Sequence, residues 1–217
     1  MSDFTVKDLN FSRCRRWILD ANTKRDVDPV YSFIASWISF NHFYGTYASS
    51  NRVKFREWSR NNMNGSSGDK AQLLYLISRN EFTDFFNNFK TEQKELFEIK
   101  VRLPVINLLN EQGVPDGIEG EYSLEDLQAE QIFLVIYQVR NNLFHGNKDP
   151  FTNERDRRLS RVGSWFMLIF LSALLSHTYG EELDALDDEQ QQEIKNVAHI
   201  AKRSLEKEQP ASSIDES

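Results

Sequence analysis

The residues best equipped for chemistry stand together near position 140. The run Tyr137-Gln138-Val139-Arg140-Asn141-Asn142-Leu143-Phe144-His145-Gly146-Asn147-Lys148 sets a permanent cation, two amides and an imidazole at the end of an otherwise apolar segment. Arginine keeps its charge and forks naturally onto phosphate oxygens. Histidine exchanges a proton near neutral pH. Together Arg140 and His145 could hold a phosphodiester and either deprotonate a ribose 2′-hydroxyl or protonate the leaving 5′-oxygen. Plainer roles draw on the same residue types: an Arg and a His that cap helix carbonyls, and an Asn-Asn pair that begins a turn.

Spacing adds a constraint. At about 100° per residue, Asn141 and His145 share one helix face. Arg140 and His145 lie about 140° apart with about 7.5 Å of rise between them. One straight helix does not converge them on one phosphate, whereas two copies related by a two-fold axis would bring both pairs into one cleft. A second aromatic face beside Arg140, made of Phe133, Tyr137 and Phe144, would be what such a dimer buries.

Other residues could extend the site. Lys148 is placed to touch a neighbouring phosphate or to sit solvated in a loop. Arg52, Lys54, Arg56 and Arg60 interleave with Phe55 and Trp58, the cation-plus-stacking composition of a single-strand RNA contact. A segment pinned to the core by Trp58 has the same composition. Asn41 falls on an apolar stripe, so its amide needs a partner, either as a tie between helices or, with Tyr137, as support for the Arg140 cluster. His42, His177 and His199 have no ligand-like spacing, and no H-E-x-x-H, zinc, P-loop or dinucleotide pattern is present. Neither metal nor cofactor is expected. Cys14, flanked by Arg13, Arg15 and Arg16, is either an acidified thiol or an incidental cysteine.

The elements that must carry these residues read as helices. Leu9–Ala21 is a first helix. Asp28-Pro29 then caps a second, with Val30, Phe33, Ile34, Trp37, Ile38, Phe40 and Tyr44 at helical offsets. Residues 49–70 are rich in Asn, Ser and Gly and read as loop. Short helices follow at Lys70–Ser78 and Glu81–Phe89. Residues 98–122 are loop-rich, with turn residues at Pro104, Gly113, Pro115-Asp116-Gly117 and Gly120. Ser123, with Asp126 three residues on, reads as a capping box for a third long helix, which Gly146 would end. Further helices span about 153–179 and 187–207. The expectation is an all-α bundle of four to six helices with a long insertion between its second and third main helices. It forms a single domain over 1–203, followed by a flexible acidic tail over 204–217.

Composition limits the alternatives. The 217 residues are 40% hydrophobic and 27% charged, with sixteen Phe, as in a globular protein. The net charge of −7 is uneven. Residues 181–217 hold eleven acidic and four basic side chains, so the body before them is neutral. Only a local basic groove could then attract nucleic acid. One cysteine excludes an intrachain disulfide. The strongest apolar run, Trp165–Leu175, would rise about 16 Å as helix, roughly half a bilayer core, and so reads as a buried helix. No export signal is evident, and a cytoplasmic location with no membrane contact is expected.

Arg140-Asn-Asn-Leu-Phe-His145 resembles the R-x4-6-H signature of the HEPN superfamily, with a polar residue directly after the arginine. The segment Phe33-Ile-Ala-Ser-Trp37-Ile-Ser-Phe-Asn41-His-Phe-Tyr44-Gly, upstream of V-R-N-N-L-F-H-G-N-K, resembles a branch found in bacteria and their mobile elements. The likeness covers roughly Val30–Gly45 and Leu124–Tyr179. It implies a HEPN-like helical bundle that dimerises with the motif at the two-fold interface. It further implies a metal-independent endoribonuclease of toxin–antitoxin or antiviral type, with RNA as substrate and an antitoxin or other protein as partner. Arg140 would bind the scissile phosphate, His145 would act as general acid or base, and Asn141 would orient the site. Other members of the superfamily are catalytically silent binding modules, and a helical adaptor working through the acidic tail is a third class of reading.

Overall fold

The computed structural model describes residues 6–103, 105–107, 112–114, 120–145, 150 and 152–208. The chain is mostly helical, and its contacts separate it into two compact units. The first comprises the chain up to Cys14 together with Ile38–Gln138; the second comprises Arg15–Trp37 and the chain from Val139 onward.

Helix α1 spans Val6–Lys24 and α2 spans Pro29–Ser50. The Asp28 carboxylate accepts from the Tyr31 N–H at 2.9 Å, so the cap-then-proline start of α2 forms as the sequence implies. Next come α3 (Arg52–Asn62), α4 (Asp69–Ile77), α5 (Asn80–Glu92) and the single turn α6 (Lys94–Phe97). In the first unit, α5 buries Phe82, Phe85, Phe86 and Phe89, which fall one turn apart on one face. Phe133 is wholly buried among them: its ring centroid is 5.8 Å from those of Phe82 and Phe86 and 5.0 Å from that of Phe40. Phe97 adds an edge-to-face contact with Phe86 at 5.7 Å. A smaller cluster joins Ala48, Phe55, Ala71 and Tyr75, with Tyr47, Trp58 and Met63 against it.

Four readings of the sequence are corrected in this unit. Residues 49–70, expected as loop, contain α3, because Phe55, Trp58 and Ser59 recur at helical spacing and turn inward. The punctuation that suggested a loop acts only at the exit, where Asn64 and Gly65 adopt φ of 51° and 79°. Within 98–122, β1 (Lys100–Leu103) pairs antiparallel with β4 (Gly120–Ser123), and β2 (Val105–Asn107) pairs with β3 (Gln112–Val114). Strands of three or four residues are too short for alternation to register in sequence. Ser123 does not open the third long helix. Its hydroxyl donates to the Phe97 carbonyl and accepts from the Glu125 N–H, shaping one 3₁₀ turn over Leu124–Asp126. The long helix α7 begins at Ala129 (Ala129–Phe144), where the Gln131 side chain, not Asp126, accepts the Gln128 N–H at 2.8 Å. Finally, the aromatic face offered to a partner copy is narrower than expected: Phe133 is consumed by the core of its own chain and Tyr137 is half-buried, while Phe144 is exposed.

In the second unit, α8 (Glu154–Thr178) packs extensively on α10 (Asp188–Glu208), with the short α9 (Gly180–Asp184) between them in sequence. Asn153 caps α8 by accepting the Asp156 N–H at 3.2 Å. Helix α8 is long and apolar enough to cross a membrane, yet 67% of its most apolar stretch is buried inside the protein, as in a core helix. From α10, Ile194, Val197, Ala201 and Leu205 supply one apolar stripe. Burial of Leu205 carries this packing beyond residue 204, where a tail was expected to start; residues 209–217 lie outside the described ones. From α2, Phe33 is fully buried against Gly163 of α8, where an added Cβ would stand 2.9 Å from a ring carbon. Beside it the Ser32 and Ser164 hydroxyls share a hydrogen bond at 2.5 Å.

Candidate functional site

Helix α7 ends at Phe144, and the backbone of His145 completes its last turn by donating to the Asn141 carbonyl at 3.0 Å. This terminus positions Arg140, Asn141 and His145. The Arg140 guanidinium lies over two rings, 4.6 Å from the centroid of Phe144 and 5.9 Å from that of Trp37 on α2. Its Nη1 donates to the Asn141 side-chain oxygen at 2.8 Å. Each cation–ring contact contributes about 0.5–1 kcal/mol at a partly exposed site. Two ring contacts and a hydrogen bond thus restrain a long side chain that would otherwise lose rotamer entropy on binding. Trp37 is buried, Arg140 and Asn141 are half-buried, and Phe144 and His145 are exposed. The arrangement presents a planar cation at the rim of an aromatic support, with an imidazole one helical turn beyond Asn141.

Among the described residues, none hydrogen-bonds the His145 ring. Lys148 and the expected terminating glycine, Gly146, lie outside the described residues. Tyr137 occurs three residues before Arg140 on α7. Asn142, the second amide of the run, lies within α7 and does not begin a turn; 1% of its surface is exposed.

Asn41 has its own partners. Its amide donates to Tyr44 Oη at 2.6 Å and to the Asp69 carboxylate, which also accepts from Tyr44 Oη. This tie between α2 and the first turn of α4 resolves the buried amide, and Asp69 is the residue that sequence reasoning missed. The available signal was its place just after the Gly-Ser run, at a helix start where a carboxylate is favoured. On the same helix, an open groove of about 540 Å³ is lined by Asn41, His42, Gly45, Thr46, Ser49, Ser50 and Gln72. Burial, followed by the nearby charge of Arg13, lowers the His42 pKa from its ordinary value.

The basic α3 stretch divides by face. Arg52, Lys54 and Arg56 are exposed, as is Arg60. Trp58 turns the other way, its ring 5.6 Å from that of Tyr75, so it anchors the helix and is not an open stacking platform. Cys14 is buried, its thiol near the Ser39 carbonyl. Burial pushes the thiol pKa up to about 12 against a smaller lowering by Ser39, the reverse of an acidified cysteine. Among the described residues, no group of three or more His, Cys, Asp or Glu side chains is placed to hold a metal ion.

Comparison of the chain with family models, with curated proteins and with solved structures finds no match.

Proposed function

We propose that the chain is a HEPN-type endoribonuclease that cleaves RNA without a metal, through Arg140, Asn141 and His145. The observation that carries this reading is the guanidinium of Arg140, braced by Trp37, Phe144 and Asn141 in the same helix turn that presents His145. A preorganised planar cation suits the charge that accumulates on phosphate oxygens during transesterification. The ribose 2′-oxygen attacks phosphorus as its proton passes to a base, and the P–O5′ bond breaks as the leaving oxygen takes a proton from an acid. The products are a 2′,3′-cyclic phosphate and a 5′-hydroxyl. His145 performs one of the two proton transfers. An imidazole with no orienting partner among the described residues of its own chain is consistent with a site completed by a second copy. A toxin–antitoxin or antiviral role, with a protein partner restraining the activity, accompanies this reading.

The same exposed imidazole also suits a second reading, a catalytically silent module that binds RNA, a nucleotide or a protein. Cleavage of total and defined RNAs in EDTA, with wild type beside His145→Ala, separates the two. The nuclease yields cyclic-phosphate ends from wild type alone. Undiminished cleavage by His145→Ala or Arg140→Ala sinks the assignment, and no cleavage by any of them leaves the silent module.

A further inference from the structure

Arg52, Arg56 and Arg60 recur every fourth residue along α3. Each step advances about 6 Å along the axis and drifts about 40° around it. The three guanidinium groups therefore form one ridge of the helix, at intervals similar to those of successive phosphates on a strand. All three are exposed, and none is ion-paired with a described residue. Glu57, the one carboxylate of the helix, makes no ion pair with Arg60 three residues on. Lys54 lies roughly 160° around the axis from Arg56, on another side. The buried face, Phe55 and Ser59 with Trp58 against Tyr75, holds the helix so that the ridge is presented outward as a row.

The ridge starts two residues after Ser50, which lines the open groove on α2. The lining beside His42 is uncharged: the side-chain oxygen of Asn41, whose amide nitrogen already donates to Tyr44 and Asp69, the amide of Gln72 and the hydroxyls of Thr46, Ser49 and Ser50. No carboxylate is among its lining residues, and the nearby Asp69 carboxylate is engaged by Asn41 and Tyr44. Groups of this kind match ribose hydroxyls and base edges, while the arginine row matches phosphates. Helix α3 has an exposed Val53 but keeps both of its aromatic residues inward, so it lacks the ring anchors of a membrane-surface helix.

We infer that the α3 ridge and the adjoining α2 groove form a binding surface for single-stranded RNA, with Arg52, Arg56 and Arg60 on consecutive phosphates and the groove on sugars and bases. The inference rests on RNA being the polymer this protein handles, as in the proposed function. It assigns to the first unit a strand contact built without Trp58 or Lys54.

The test measures binding of a fluorescent oligouridine of about twenty nucleotides, by anisotropy over a range of KCl concentrations, in full-length His145→Ala protein so that nothing is cut. The Arg52→Gln/Arg56→Gln/Arg60→Gln variant should bind about tenfold or more weakly at low salt. Its log–log salt slope should be shallower by about 2, the loss of three single-strand phosphate contacts. Lys54→Gln should change little, and Thr46→Leu, which fills the groove, should reduce the preference for oligouridine over oligothymidine. Unchanged affinity and slope in the triple variant overturn the inference. So does a triple-variant loss confined to vesicles of phosphatidylserine and phosphatidylcholine, which would make the ridge a lipid contact. Cleavage of the dinucleotide UpA, whose single phosphodiester cannot occupy ridge and catalytic site together, keeps the two proposals apart. If otherwise wild-type protein carrying the triple substitution cuts UpA at the normal rate while the ridge-dependent binding loss holds, both stand. Ridge-dependent binding without any cleavage supports the surface and leaves the nuclease reading to fail alone.

Discussion

Arginine meets aromatic residues in two regions of this protein, with opposite outcomes. At the end of α7, Arg140 lies over Phe144 and Trp37, and its Nη1 donates to Asn141. Along α3, the rings of Phe55 and Trp58 turn into the core while Arg52, Arg56 and Arg60 stand in water. One region fixes a single cation in one place and orientation. The other aligns several cations and leaves each free to move. Fixed geometry serves a reacting phosphate, where misplacement is costly; a row of solvated charges serves a polymer, where counterion release supplies affinity. Similar composition thus acquires different geometry from the direction in which the rings point.

The largest effect that could break this contrast is on cleavage. On the proposed nuclease reading, Arg140→Lys keeps the charge but loses the planar guanidinium over the rings and the bond to Asn141, so kcat/KM for RNA should fall about 10²-fold with the fold intact. Full activity in the lysine variant would mean that charge alone suffices there and that the aromatic bracing is incidental.

Next comes Trp58. Its removal in Trp58→Ala should cost about 2–3 kcal/mol in urea unfolding, because the ring is packed on Tyr75. Below the unfolding transition, RNA affinity should stay within about twofold of wild type, less than about 0.4 kcal/mol. A loss of affinity with no loss of stability would turn Trp58 back into a stacking residue.

Gly163→Ala probes the packing beneath the Trp37 support, because Phe33 precedes Trp37 by one turn of α2. An alanine in a helix ordinarily gains about 0.5–1 kcal/mol over glycine. Here the new Cβ would meet a buried ring at 2.9 Å, so a net loss of about 1–2 kcal/mol is expected from overpacking. A stabilised variant would show that Phe33 yields easily.

The smallest effect concerns Cys14, another residue whose cationic sequence neighbours mislead. Its folded pKa lies above the ordinary thiol value, so both states are protonated at lower pH and only the unfolded state ionises first as pH rises. The thiol's contribution is therefore fully present below the unfolded pKa and lost above it, by about 1 kcal/mol at one pH unit beyond. The stability difference between wild type and Cys14→Ala should shift by that amount in favour of the variant between pH 8 and about 9.5. No shift would mean that the thiol is not shielded in the folded protein.

Much of the helical framework was legible because wide apolar stripes announce it. Helix α2 extends the expected segment by one residue before Val30 and six after Tyr44, α8 spans nearly the expected 153–179, and α10 nearly 187–207. Helix α3 was hidden because its stripe is three residues long and its exposed side is crowded with cations, while Asn and Gly follow closely. The strands were hidden because each is shorter than a detectable period. In the candidate site, the helix-end placement of Arg140, Asn141 and His145 was readable from spacing. The contact with Trp37 was not, since more than one hundred residues separate it from Arg140 in sequence.

The sequence by itself determined which residue types could handle a phosphate, that helices would carry them, and that acidity would gather at the C-terminal end. Only the tertiary structure decided where rings and thiols face. It drew Phe133 into the core, turned Trp58 onto Tyr75, buried Cys14 among α1 and α2 residues, and set Trp37 under Arg140. The physical reason is that periodicity specifies which side of a helix is apolar, a local property of the chain. The element that covers that side is chosen by burial between segments distant in sequence, where the area removed from water is large and non-directional.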